Sequence, residues 1–209
     1  VVVHGSGRTD AGVHALGQVA HFHLQGRMPA AAMQRALNAR LPASIRVLEA
    51  GEAAAGFHAR RNACGKLYRY RIWREEVCPP FLRRYVYHHP YRLDEAAMAA
   101  AAPLLQGRHD FRSFAAGSEG GRAPAGTERT VTRSQLWRAG PELIYEVEGE
   151  GFLRHMVRNL VGWLLEIGRG ARHADEITAV LAARARSAAG PTAPPQGLYL
   201  VRVDYDETA

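Results

Sequence analysis

Strands and helices interleave along this 209-residue chain, and the pattern predicts an α+β fold with helices covering an antiparallel sheet. Three stretches carry that prediction. Lys66 to Trp73 alternates Tyr68, Tyr70 and Ile72 with Arg69 and Arg71, the period-two signature of a half-buried strand. Val131 to Arg138 and Glu142 to Glu148 flank Ala139-Gly140-Pro141 and read as a hairpin. Leu153, Met156, Val157, Leu160, Val161, Leu164 and Leu165 recur at helical spacing, giving a long amphipathic helix closed by Gly168 and Gly170.

The other elements follow in order. Val1-Val2-Val3 is β-branched and runs into Gly5-Ser6-Gly7, which reads as a buried strand entering a tight loop. Gln18 to Leu24 alternates Ala20, Phe22 and Leu24 with Val19, His21 and His23, again a strand. Pro29 to Leu41 is a helix, with proline in its first turn and Met33, Ala36, Leu37 and Leu41 at helical spacing. Ile45 to Ala50 reads as a short strand. Asp94 caps a helix running towards Gln106, which Pro103 should kink or end. Asp175 to Ala185 is a further helix, Pro191 to Pro195 a loop, and Leu198 to Tyr205 a closing strand.

Composition narrows the functional class. A hydrophobic fraction of 47% with 22% charged residues belongs to a folded globular chain able to bury an ordinary core. The net charge is +7, and 26 of the 27 basic residues are arginines, Lys66 being the single lysine. A coding bias explains the arginine fraction as well as function does, but the net positive charge fits a polyanion, of which RNA is the best candidate. Cys64 and Cys78 give neither a metal spacing nor a disulfide framework, so a reducing cytoplasm is expected. The ten histidines show no metal-ligand spacing, and no stretch reaches the length of a membrane span.

Chemistry concentrates in Gly7-Arg8-Thr9-Asp10-Ala11-Gly12-Val13-His14-Ala15. Read by itself, a loop aspartate is usually a turn or cap residue. The whole nonapeptide, however, resembles the active-site motif of the tRNA pseudouridine synthase A (TruA) family. Phe57-His58-Ala59-Arg60, Tyr68-Arg69-Tyr70, Asp110-Phe111-Arg112-Ser113-Phe114, Phe152-Leu153-Arg154-His155-Met156-Val157-Arg158-Asn159 and Gly197-Leu198-Tyr199-Leu200-Val201 agree in the same order. The resemblance spans Val1 to about Tyr205.

That resemblance implies two ferredoxin-like halves joined across a central active-site cleft, residues 1–58 and 59–209. The first half is expected to lack an opening strand and helix. It also implies a cofactor-independent isomerisation of uridine to pseudouridine in the tRNA anticodon stem-loop, at positions 38, 39 and 40, by a homodimer. Asp10 matches the family's essential aspartate. A carboxylate held dry beside ribose and base serves as nucleophile or general base and needs a nearby cation. Arg158 matches the family's active-site arginine, although arginine at this spacing alone more often lies on a solvated helix face. Tyr68 matches the tyrosine that stacks on the flipped base, but periodicity puts Tyr68 and Tyr70 on one face and cannot separate them. Leu198 matches a residue lining the base pocket. Arg8 matches an RNA contact, as do Phe57, His58, Ala59, Arg60 and Arg61. Arg122 and Arg129 fall in a Gly- and Arg-rich stretch, Ser118 to Arg129, expected to be a mobile loop able to wrap RNA. His155 also matches a family position; facing out from the same helix as Arg158, it is expected to have a supporting, structural role.

Two other readings remain at this stage. A non-catalytic RNA-binding module predicts loss of Asp10, Tyr68 or Arg158, and all three are present. A phosphate-binding enzyme built on Gly5-Ser6-Gly7-Arg8 lacks the full pattern and the lysine of a nucleotide-binding loop.

Overall fold

The computed structural model describes residues 1–116 and 126–206. It is α+β, with a two-stranded sheet and a seven-stranded mixed sheet. The small sheet pairs β1 (His4–Gly5) with β3 (Ala20–His21). The large sheet runs β2 (His14–Ala15), β9 (Leu198–Tyr205), β4 (Ala63–Trp73), β8 (Glu142–Gly149), β7 (Glu128–Ala139) and β6 (Gly107–Asp110). β5 (Tyr87–His88) lies beside the end of β4.

The central strands obey the alternation read from the sequence. On β4 and β8, Tyr70, Ile72, Leu143, Tyr145 and Val147 face the core, where α3 (Met156–Gly168) packs with Met156, Leu160, Trp163 and Leu164. The opposite face is a lattice of ion pairs: Arg69 and Arg133 with Glu146, Arg71 with Glu142, Arg202 with Glu148. One face therefore removes apolar area from water, while the other is charged, with Glu146 buried beneath its arginine partners. The β7–β8 hairpin turns at Gly140, whose φ of 57° is the left-handed conformation such a tight connection needs.

Asp94 caps α2 (Glu95–Ala101) by accepting from the Ala97 amide at 2.9 Å. As Pro103 requires, the α-helix stops there and continues as one 3-10 turn, Ala102–Leu105. α1 (Ala30–Arg40) forms as expected. The fourth predicted helix is shorter than its pattern: a 3-10 turn at Ala174–Glu176 leads into α4 (Ile177–Ala183), which ends where Arg184 turns left-handed.

Four expectations are corrected. Val1, Val2 and Val3 are exposed and join no strand, because β3 offers partners only to His4 and Gly5. Gln18 to Leu24 contracts to the two paired residues of β3 for the same reason. Ile45 to Ala50 forms no strand: Asn38 both accepts from the Val47 amide and donates to its carbonyl, each at 2.8 Å, and Gln34 donates to the Leu48 carbonyl. Side chains of α1 thus satisfy the backbone that a ladder would otherwise have to pair. Finally, the sheet is not purely antiparallel. β2 lies parallel to β9, and β5 lies parallel to β4 at Ile72 and Trp73, the stretch of β4 beyond the reach of β9.

Candidate active site

The loop from Ser6 to Val13 is strung between the two sheets, moored by β1 and β3 at one end and by β2 on β9 at the other. Polar contacts set its course. The Ser6 amide donates to the Val19 carbonyl at 2.8 Å, its hydroxyl donates to Gln18 Oε1 at 2.6 Å, and Gln18 Nε2 returns a bond to the Gly7 carbonyl at 2.9 Å. Lys66 Nζ donates to the Ser6 carbonyl at 2.9 Å. The Val13 amide closes a turn on the Asp10 carbonyl at 3.0 Å. At Gly12 the backbone is left-handed, φ 83°, and a Cβ would sit 3.1 Å from the Pro195 ring. Both the conformation and the approach demand glycine.

The turn presents Asp10 to the N-terminus of α3. Its Oδ2 lies 3.0 Å from His155 Nε2 and 3.4 Å from Arg158 Nη1. Arg158 is the more buried partner, with a side chain 13% exposed, and is itself steered: its Nε donates to the Ala193 carbonyl at 2.7 Å. Its planar fork thus binds a fixed carbonyl with one edge and the carboxylate with the other. Across 148 residues of sequence, the predicted Asp10–Arg158 pair forms.

His155 does not face out from the Arg158 helix as expected: its ring reaches Asp10. It precedes α3 in the left-handed conformation, φ 60°, and this turns its ring towards Asp10 rather than along the outer side of the helix. Non-glycine residues held there signal constraint. Burial pushes its pKa below the usual histidine value; Asp10 opposes that shift, and the Arg158 and Arg154 guanidiniums reinforce it. Nε2 is placed to donate a hydrogen bond to the carboxylate.

Tyr68 and Tyr70 do share a face, and tertiary structure separates them. Tyr70 is fully buried, and its hydroxyl donates to the Pro194 carbonyl at 2.7 Å. Tyr68 sits beside the loop, where burial first and the Asp10 carboxylate second push its pKa up to about 12. It meets Phe152 edge to face at 5.2 Å. A bulge in the β4–β9 pairing falls between Leu67 and Tyr68. Such bulges re-aim side chains next to active sites. Leu198 stands opposite Tyr70 and is buried in the core.

The basic segment lies beside the small sheet. The Ala59 amide donates to His21 Nδ1, and the Arg60 and Arg61 amides to His58 Nδ1, leaving both arginine side chains exposed. Phe57 packs on Tyr205. Arg8 is exposed on the Asp10 loop. Arg129 bends back to the Gly126 and Glu128 carbonyls, whereas Arg122 lies outside the described residues. Sequence reading missed Lys66, Ser6, Gln18 and Ala193 as parts of the site. Lys66 carried the one available signal, being the only lysine in an arginine-rich chain. The others act through backbone atoms or hydrogen bonds that leave no spacing pattern.

A carboxylate flanked by an arginine, a histidine and an aromatic ring, in a basic α+β chain, suits an enzyme that isomerises a nucleotide within RNA. The family model described as tRNA pseudouridine synthase matches residues 1–60 and 101–206, thereby taking in Asp10, Arg158 and Leu198. The chain is 50% identical, over 98% of its length, to tRNA pseudouridine synthase A of Solibacter usitatus, 82% of which it covers. It is 50% identical over 94% of its length to the same enzyme of Halalkalibacterium halodurans, covering 73% of that protein. For that of Limosilactobacillus fermentum the identity is 46% over all of this chain and 81% of the relative. The chain belongs to the tRNA pseudouridine synthase A family, whose members are isomerases. Among the described residues, no helix is long and apolar enough to cross a membrane.

Proposed function

We propose that this enzyme converts uridine to pseudouridine at positions 38, 39 and 40 of the tRNA anticodon stem-loop, with Asp10 as the essential carboxylate. The observation that carries the reading is the convergence of Asp10, Arg158, His155 and Tyr68 from separate stretches of chain onto one spot. Isomerisation requires the glycosidic bond to break, the uracil to turn, and C5 to take the place of N1. Asp10 acts on the ribose or the base as nucleophile or base. Arg158 pairs with it and aims it, and Tyr68 supports the extruded uracil, a stack worth about 1–3 kcal/mol. Leu198 closes the apolar side of the pocket. Arg8, Phe57, His58, Ala59, Arg60 and Arg61 hold the RNA backbone, with Arg122 and Arg129 as further contacts.

The reading extends to assembly. Residues 1–58 and 59–209 form two ferredoxin-like halves facing the cleft, and two copies of the chain share one tRNA in the cytoplasm. The first statement draws its support from the small sheet, both of whose strands fall within residues 1–58, while β2 of the same stretch joins the large sheet beside β9. The test is tritium release from tRNA labelled at uridine C5. Asp10→Asn is expected to abolish release while tRNA affinity stays within about threefold; turnover by the variant removes Asp10 from the chemistry.

A further inference from the structure

We infer that Lys66 is a phosphate-binding residue of the active site, taking the phosphodiester next to the target uridine. The inference rests on the RNA reading above and adds a residue outside the stretches matched by the family model. Lys66 lies two residues before Tyr68 on β4, so both side chains rise from the same face of the sheet. A Cβ at Gly7 would lie 3.6 Å from Lys66 Nζ and 4.0 Å from the Tyr68 hydroxyl, so the ammonium and the phenol border the same loop.

The amine is incompletely used. An ammonium has three donors, and the Ser6 carbonyl takes one. The carboxylates nearby on β8 are engaged on the opposite face of the sheet with Arg69, Arg71, Arg133 and Arg202. Among the described residues, no carboxylate forms an ion pair with Lys66, which is half-buried. Burial and the neighbouring Arg60 guanidinium both push its pKa down. A partly desolvated cation beside a second cation is unfavourable until an anion arrives. RNA supplies one. Lys66 thus stands between the Ser6–Gly7 stretch of the Asp10 loop and Arg60, extending a basic track for the backbone towards the pocket, and as a point charge it suits a phosphate oxygen.

A double-mutant cycle tests this by equilibrium binding to anticodon stem-loop RNA, either native or with a neutral methylphosphonate replacing one phosphate flanking the target uridine. Both flanking linkages are tried. The partner variant is Lys66→Gln, which removes the charge and keeps a donor; Lys66→Arg restores the charge. We expect Lys66→Gln, and one of the methylphosphonates, each to weaken binding roughly 10- to 100-fold, the range for removal of a charge-assisted bond. Combined, they should cost no more than either alone. Lys66→Arg should recover both the affinity and the methylphosphonate penalty. Full additivity at both linkages overturns the inference and leaves Lys66 as a brace for the Ser6 carbonyl. Circular dichroism and thermal melting confirm that each variant is folded. Tritium release by the parent protein on the native stem-loop is scored separately. Its absence refutes the proposed isomerisation, whereas the binding cycle decides Lys66 alone.

Discussion

Gly162→Ala should damage stability and catalysis together, because α3 meets the Pro191–Pro194 segment without room for a methyl group. A Cβ at Gly162 would lie 2.9 Å from the Pro191 carbonyl carbon, closer still to its oxygen, and 3.6 Å from the Ala193 amide nitrogen. Carbon atoms pack comfortably at about 3.5–4.0 Å, so the segment must retreat by roughly 1 Å. The same segment fixes the site. Ala193 exchanges two hydrogen bonds with Arg158, amide to carbonyl at 3.0 Å and guanidinium to carbonyl at 2.7 Å, and Pro194 receives the Tyr70 hydroxyl. Alanine gains about 1 kcal/mol in helix propensity over glycine. Overpacking costs about 1–3 kcal/mol, and each weakened hydrogen bond about 0.5–1.5 kcal/mol. With all three bonds weakened, a net loss of roughly 1.5–6.5 kcal/mol lowers Tm by roughly 3–26 °C for a chain of this size. Misplacing Arg158 by about 1 Å should cost on the order of a hundred-fold in kcat. Thermal melting and tritium release read the two effects. A Tm within about a degree of the parent, with unchanged turnover, would refute both the packing argument and the role of this segment in aiming Arg158.

Two further outcomes follow from the surface and from the histidines. Arg60→Ala combined with Arg61→Ala should leave Tm nearly unchanged, since the bonds at these positions come from backbone amides to His58. It should weaken tRNA binding and flatten the salt dependence, by about 0.7–0.9 in log–log slope for each phosphate that the protein no longer neutralises; an unchanged slope places the RNA surface elsewhere. Acid should destabilise the fold. Burial is the leading cause lowering the pKa values of His21, His58, His89 and His155, and His89 is further opposed by Arg169 and Arg74, whose guanidiniums reach its two ring nitrogens at 3.2 and 3.1 Å. With the folded values below the unfolded value of about 6.5, the unfolded chain binds more protons in that window. The stabilisation is full above a pH of about 6.5 and is lost as pH falls through the lowered values. A denaturant midpoint that is higher at a pH of about 5.5 than at about 7.5 contradicts this.

Much of the architecture was legible because burial imposes periods on a sequence. Strands β4, β7, β8 and β9 and helix α3 all contribute to a common core, and the apolar residues they place there recur at strand or helical spacing. The capping role of Asp94 and the break at Pro103 are local, set by backbone chemistry within a few residues. Val1 to Val3 and Ile45 to Ala50 carry strand-like composition, yet neither finds a ladder partner, and strand formation depends on a partner as much as on composition.

For the site, the sequence by itself determined the residue types: an aspartate in a glycine-bounded loop, an aromatic strand, an arginine on an amphipathic helix, and the family these motifs resemble. Only tertiary structure decided their arrangement. Tyr68 and Tyr70 share one period, and the depth of the core assigned one to the Asp10 loop and the other to the Pro194 carbonyl. His155 reached Asp10 through a single left-handed residue that no spacing rule encodes. Lys66 entered the site through a carbonyl sixty residues away in sequence. Periodicity reports how a segment meets the core as a whole; contacts between loops depend on where separate segments end, and that is fixed only when the chain packs.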